Sequence, residues 1–120
     1  MIRKNLLFFT LILIAILNGC HTKTKQADQI ATPSVLETTW TGKESDGECI
    51  TYHFLPDGIL HYEIESGSWK NASWKQDGNK IYFEMNAKFS EHYGTIKGNK
   101  MKGTGQNTQG HKWTWKAKKE

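Results

Sequence analysis

ITYHFLPDGILHYEI, residues 50–64, is the stretch whose reading decides the fold. Its apolar residues fall at Ile50, Tyr52 and Phe54 and again at Leu60, Tyr62 and Ile64, with Thr51, His53, His61 and Glu63 between them. That period of two is the signature of strands with one face in a core. Between the runs stands Pro56-Asp57-Gly58. This triplet suits a three-residue hairpin loop built on a type I turn, in which Pro presets φ and Gly58 takes the left-handed position. Such a loop pairs Phe54 with Leu60, Tyr52 with Tyr62 and Ile50 with Ile64, so that all six apolar side chains share one face. A two-residue loop would set Phe54 against His61 and turn polar groups inward, so it is rejected.

Working outward, turn signals recur about every ten residues, the spacing of an antiparallel meander. A turn at Ser66-Gly67 is predicted to place Ile64 opposite Trp69, and one at Asp77-Gly78 to place Trp74 opposite Ile81, with Phe83 and Met85 on the same face. Trp69 and Trp74 are separated by an odd number of residues, so a regular strand cannot aim both inward; a β-bulge is predicted within residues 70–73. A longer loop is expected over residues 87–90. Gly98-Asn99 then pairs Ile96 with Met101 and Gly94 with Gly103. A five-residue loop over 107–111 sets Trp113 opposite Gly105 and Trp115 opposite Gly103, laying indoles over bare glycine backbone. The strands predicted are 37–43, 49–55, 59–65, 68–75, 80–86, 91–97, 100–106 and 111–118. Eight short antiparallel strands can close on themselves and remove their edges. The expectation is an all-β, eight-stranded up-and-down barrel or strongly twisted sheet, squat, with aromatic side chains filling its middle and at most a shallow pocket.

The chain ahead of this domain reads differently. Arg3 and Lys4 precede an apolar run from Leu6 to Leu17. As a helix the run would span roughly 18 Å, too short to cross a bilayer core of about 30 Å and suited to a secretory signal. It ends in Leu17-Asn18-Gly19-Cys20, which resembles the bacterial lipobox. That resemblance implies cleavage before Cys20, acylation of its thiol and new amino group with fatty chains such as palmitate, and durable hold on a membrane leaflet. His21, rather than Asp, follows the cysteine, which by the same resemblance implies the periplasmic face of the outer membrane. Three segments result: a signal peptide over 1–19, an acylated Cys20 with a flexible linker over 20–36, and a barrel domain over 37–120. The linker is polar, lacks periodicity and contains Pro33; fully extended it reaches roughly 50 Å. With Cys20 carrying lipid, Cys49 has no disulfide partner and is expected to be a buried or half-buried thiol without chemistry.

Charge is unevenly distributed. Residues 37–87 hold four Lys against nine Asp and Glu, whereas residues 88–120 hold eight Lys against two Glu. Beyond Arg3 there is no Arg, and an exported protein does not meet nucleic acid, so a nucleic-acid partner is excluded. Two readings of the charge stay open: acidic strands lying against basic ones in one sheet, or a basic strip facing anionic lipid head groups or an acidic partner.

Trp40, then Gly67-Ser68-Trp69, then the pattern Gly94-x-Ile96-x-Gly98-Asn99-x-Met101-x-Gly103, then Trp113-x-Trp115 resemble the small bacterial lipocalin-like (calycin-like) lipoproteins over residues 38–118. The resemblance implies the same barrel and, as a role, the binding of a small apolar ligand; Tyr52, Tyr62, Trp69 and Trp113 are the candidates to line its slot. Lysozyme-inhibitor lipoproteins also place a small barrel behind a lipobox and carry a Ser-Gly-x-x-Tyr loop, of which Ser66-Gly67 match the first two residues. The other candidate constellation is His53 with His61, set opposite each other on the outer face with Glu63 or Thr51 nearby. Two imidazoles can share a Zn²⁺, but a zinc centre wants three protein ligands, and the sequence names no third; no metal or other cofactor is therefore assigned. Glu63 and Glu65 lie on the same outer face without the cleft that paired acids need for hydrolysis. The reading that results is a non-enzymatic, lipid-anchored envelope protein that presents a small barrel to an envelope protein partner, with a small apolar-ligand binder and a periplasmic inhibitor of lysozyme or another hydrolase as the alternatives.

Overall fold

The computed structural model describes residues 31–120. The signal peptide expected over 1–19 and the expected acylation site, Cys20, lie outside the described residues. Within them the hairpin that opens the sequence reading is present in the expected register: β2 (Cys49–Phe54) pairs β3 (Ile59–Ile64) through Tyr52↔Tyr62, His53↔His61 and Phe54↔Leu60. The loop between them, Pro56–Gly58, differs in one respect: Asp57 as well as Gly58 takes a left-handed conformation, at φ 61° and 69°. Asp tolerates that region better than most side chains, so the triplet closes tightly with Leu55 N–H donating to the Ile59 carbonyl at 2.9 Å.

Six further strands complete the set: β1 (Thr38–Glu44), β4 (Gly67–Asp77), β5 (Lys80–Met85), β6 (Ser90–Lys97), β7 (Lys100–Asn107) and β8 (Lys112–Lys119). Each pairs antiparallel with the next, and β8 returns to β1 through Trp40↔Lys119, Gly42↔Ala117 and Glu44↔Trp115. The eight-stranded up-and-down barrel is closed.

Two predicted turns slip. The β3–β4 turn uses Glu65 and Ser66, with Gly67 already in the strand, so Trp69 lies opposite Tyr62 rather than Ile64. The β4–β5 turn is Gly78-Asn79, which sets Trp74 opposite Phe83 rather than Ile81. Gly78 and Gly98 have nearly the same φ, 56° and 61°, each at the first position of a Gly-Asn pair, where a hairpin turn of the mirror-image class wants glycine. Both slips are by two residues, and a shift of two keeps every side chain on its face. The β5–β6 loop also begins one residue earlier than expected, over 86–89. The bulge falls where parity requires it: Tyr62 pairs Trp69 and Leu60 pairs Ala72, so Lys70 and Asn71 together oppose His61.

The inward-facing residues form one core. Tyr52, Phe54, Leu60 and Phe83 have no solvent exposure, and Trp40, Ile50, Ile81, Ile96, Met101 and Trp115 are buried around them. Phe83 is the hub, with ring centroids 5.1 Å from both Tyr52 and Trp115 and 4.5 Å from His92. Glycines make room for the indoles. A Cβ on Gly105 would stand 2.3 Å from the Trp113 ring, as the register predicts. Trp115 reaches past its partner Gly103 to cover Gly94 on β6, where a Cβ would stand 2.6 Å from the ring.

One end of the barrel is capped by chain ahead of β1. Val35 is buried, its N–H donates to Gln76 Oε1 at 2.9 Å, and Gln76 Nε2 donates to the Pro33 carbonyl at 3.0 Å. Trp74 closes the same end, its indole N–H donating to the Leu55 carbonyl at 2.9 Å. Residues 33–36, read from sequence as the end of the linker, thus lie against the barrel.

Candidate functional site

Three features of the barrel carry chemistry: the end opposite the cap, the outer wall of β2 and β3, and the outer wall of β6, β7, β8 and β1.

At the uncapped end run the loops 45–48, 65–66, 86–89 and 108–111. Tyr62 and Trp69 stack there at 5.4 Å, with Trp69 37 % exposed. Trp113 stands on the opposite wall, stacked on His111 at 5.5 Å and edge-on to His92 at 5.4 Å. Tyr52 lies deeper, wholly buried against Phe83. The four residues chosen for a ligand slot therefore occupy three places: one in the packed centre and the others on two facing walls of the rim. Between them lies a pair that the sequence reading did not single out. His92 Nε2 donates to Glu44 Oε1 at 3.1 Å, and both residues are buried. The signal was there in the alternation of Trp40, Gly42 and Glu44 and of His92, Gly94 and Ile96, which aims both polar residues inward. The Tyr52 hydroxyl, His92 Nδ1 and Trp113 Nε1 are buried without a hydrogen-bond partner among the described residues. Glu44, Asp46 and Glu48 gather on the adjacent loop. Burial and the charges of Glu44 and Asp46 hold the Glu48 carboxyl above its usual range, and burial together with Glu44 and Glu48 pushes the Tyr52 hydroxyl far up.

On the outer wall, His53 and His61 face each other as the register demands, with rings stacked at 5.0 Å. Glu63 completes a trio, its Oε2 3.1 Å from His53 Nε2. The other nitrogen of His53, Nδ1, lies 2.9 Å from Thr39 Oγ1 on β1. Cys49, expected to be buried or half-buried, is exposed: it alternates with the inward Ile50 and so sits on the outer wall beside Lys43.

The third feature bears on the first reading of the charge distribution. Acidic strands do not lie against basic ones here. Closure puts β8 between β1 and β7, and the lysines oppose one another: Lys43↔Lys116↔Lys102 form one row, and Lys118↔Lys100↔Lys97 the next. These six lysines line a shallow groove of about 680 Å³ with Thr41, Cys49 and Thr95. The ion pairs among the described residues are His53–Glu63 and His92–Glu44, so none of the six lysines is in one; the carboxylate on this face is that of Glu120, whose Oε1 accepts from Thr41 Oγ1 at 2.6 Å. Like charges directly opposite on a sheet are destabilising.

In comparisons with protein-family models, curated proteins and solved structures, nothing matches the chain.

Proposed function

We propose that the chain is an exported, lipid-anchored protein of the cell envelope that works by binding rather than by catalysis, and that its barrel docks on an anionic membrane surface through the lysine face. The observation that carries this reading is the double row of Lys43, Lys97, Lys100, Lys102, Lys116 and Lys118, none of which forms an ion pair among the described residues. Each lysine brought near an anionic leaflet is worth about 1 kcal/mol, so six exceed the mutual repulsion they impose on the free domain. The lipobox-like Leu17-Asn18-Gly19-Cys20 supplies the anchor in this reading, and the linker ahead of Pro33, extended to roughly 40 Å, lets the barrel turn its side to the membrane. Acyl chains and a basic patch are the two signals that together make membrane attachment stable. A centre filled by Tyr52, Phe54 and Phe83 favours a surface role over capture of an apolar molecule in the lumen.

The test is flotation of residues 21–120, which hold the whole closed barrel and lack the acylation site, with vesicles of neutral phospholipid and with vesicles containing about one-third anionic phospholipid. Partitioning at low salt should be at least tenfold higher on the anionic vesicles. That difference should vanish near 0.5 M NaCl, a concentration at which the screening length is about 4 Å, and in the variant with Lys102, Lys116 and Lys118 all changed to Glu. Equal partitioning at low salt sinks the docking face, and mass spectrometry of the intact protein that finds the Cys20 sulfur unmodified sinks the anchor.

A further inference from the structure

We propose that the outer wall of β2 and β3 is a binding site for a divalent transition-metal ion of the Zn²⁺ class, held by His53, His61 and Glu63 with a fourth position open to solvent. The proposal stands whether or not the chain is acylated. Two imidazoles and one carboxylate are the donor set of open zinc centres, which take three protein ligands and leave one position for water or another ligand. The third ligand invisible in the sequence is supplied by the fold. Thr51 pairs Glu63 while His53 pairs His61, so Glu63 sits diagonally across from His53 and on its face.

The geometry needs little change to take an ion. One ligand atom from each of the three residues lies within 4.8 Å of the other two. In a tetrahedral site with bonds of about 2.0–2.1 Å, neighbouring ligand atoms stand roughly 3.4 Å apart. His53 Nε2 and Glu63 Oε2, at 3.1 Å, are already inside that distance. The remaining closure is within reach of side-chain rotation, with the strands held in register by the ladder. The Thr39 hydroxyl, 2.9 Å from His53 Nδ1, can accept a hydrogen bond from Nδ1–H and leave the Nε2 lone pair for the ion. Metal-bound histidines are commonly oriented by a partner on the other ring nitrogen. Thr39 belongs to β1, so three strands converge on the site. Ca²⁺ and Mg²⁺ prefer six or more oxygen ligands and do not suit this donor set.

The experiment is calorimetric and thermal titration of the intact, metal-free protein with ZnCl₂. Binding of one ion is expected, with a rise in Tm of at least about 5 °C at a hundredfold excess over Kd. CaCl₂ and MgCl₂ should give neither heat nor shift. His61→Ala should weaken Zn²⁺ by at least tenfold, and Thr39→Val, which removes only the positioning hydroxyl, by about 10- to 100-fold. Should His61→Ala fail to fold, zinc-edge absorption on the parent protein reads the site directly and should show two imidazole nitrogens and a carboxylate oxygen. Absence of binding by the parent overturns the proposal. So does a folded His61→Ala that binds Zn²⁺ as tightly as the parent, or an absorption spectrum without imidazole, because either places the ion elsewhere.

Discussion

A glycine facing a tryptophan is the smallest unit on which this barrel depends. Gly105 carries the face of Trp113, and the ring occupies the volume a methyl group would need, 2.3 Å from an added Cβ. The ring also stacks on His111 and meets His92 edge-on, so moving it off the backbone gives up those contacts. Gly105→Ala should therefore destabilise the domain by about 1–3 kcal/mol, the range for forcing extra volume into a packed site. Urea unfolding checks it; an unchanged midpoint would mean that the indole lifts off the backbone without cost. The Trp-over-Gly arrangement was legible in the sequence because strand pairing is arithmetic: once the five-residue loop over 107–111 is placed, Gly103 and Gly105 find Trp115 and Trp113. How far an indole reaches is not arithmetic. Trp115 was expected on Gly103 and extends to Gly94, because Gly103 itself packs against the Tyr93 backbone, where a Cβ would come within 1.8 Å of the carbonyl oxygen.

At the scale of strands, parity proved easier to read than register. The Glu65-Ser66 and Gly78-Asn79 turns each lie one residue from the predicted pair, yet every core residue keeps its face, because hydrophobic alternation fixes the face and the turn alone fixes the partner. The bulge at Lys70 and Asn71 was readable for the same reason: Trp69 and Trp74 are an odd distance apart, and one extra residue reconciles them. What the sequence did not reveal comes from non-neighbouring chain. The six lysines that form the basic face come from β1, β6, β7 and β8, and Lys43 belongs to the half of the chain with an acidic balance. Only closure of β8 on β1 brings Lys43 beside Lys116. Lys116 is the keystone of its row, opposed by lysine on both sides. Lys116→Glu replaces two repulsive cross-strand pairs by two attractive ones. It should raise stability by about 0.5–1 kcal/mol at low salt, a gain that shrinks as salt is added. The same substitution should lower partitioning onto anionic vesicles. A gain in stability with loss of binding is the mark of a face held for function; a loss of stability would show that the lysines are already relieved by contacts other than ion pairs.

The molecule as a whole has a weakness on the alkaline side. Burial pushes the hydroxyls of Tyr52, Tyr62 and Tyr82 above the ordinary tyrosine range, with Glu44 and Glu48 adding to it at Tyr52 and Glu48 at Tyr62. Tyr82 is further held protonated by its 2.7 Å hydrogen bond to Glu91. A group whose folded pKa is raised contributes stability that is complete below its unfolded value and is lost as pH climbs towards the folded value. For these tyrosines that window opens near pH 10. Above it the unfolded chain releases protons that the folded barrel retains, and each such tyrosine lowers stability by up to about 1.4 kcal/mol per pH unit. Tyr52 is the decisive member, because it alone of the three is fully buried, in a centre where Phe83, Phe54 and Trp115 leave no route for solvent to a phenolate. Its hydroxyl has no hydrogen-bond partner among the described residues, so Tyr52→Phe removes a buried polar atom without breaking a bond and should be neutral or mildly stabilising near pH 7. Its effect should appear above pH 10, where the variant loses stability less steeply than the parent by the contribution of one tyrosine. Urea midpoints for both proteins at pH 7, 10, 10.5 and 11 separate this from every other titration, since lysines and the remaining tyrosines are common to the pair. Parallel curves across that range would show that Tyr52 ionises as freely in the folded barrel as in the unfolded chain, and the packed centre would have to be re-examined.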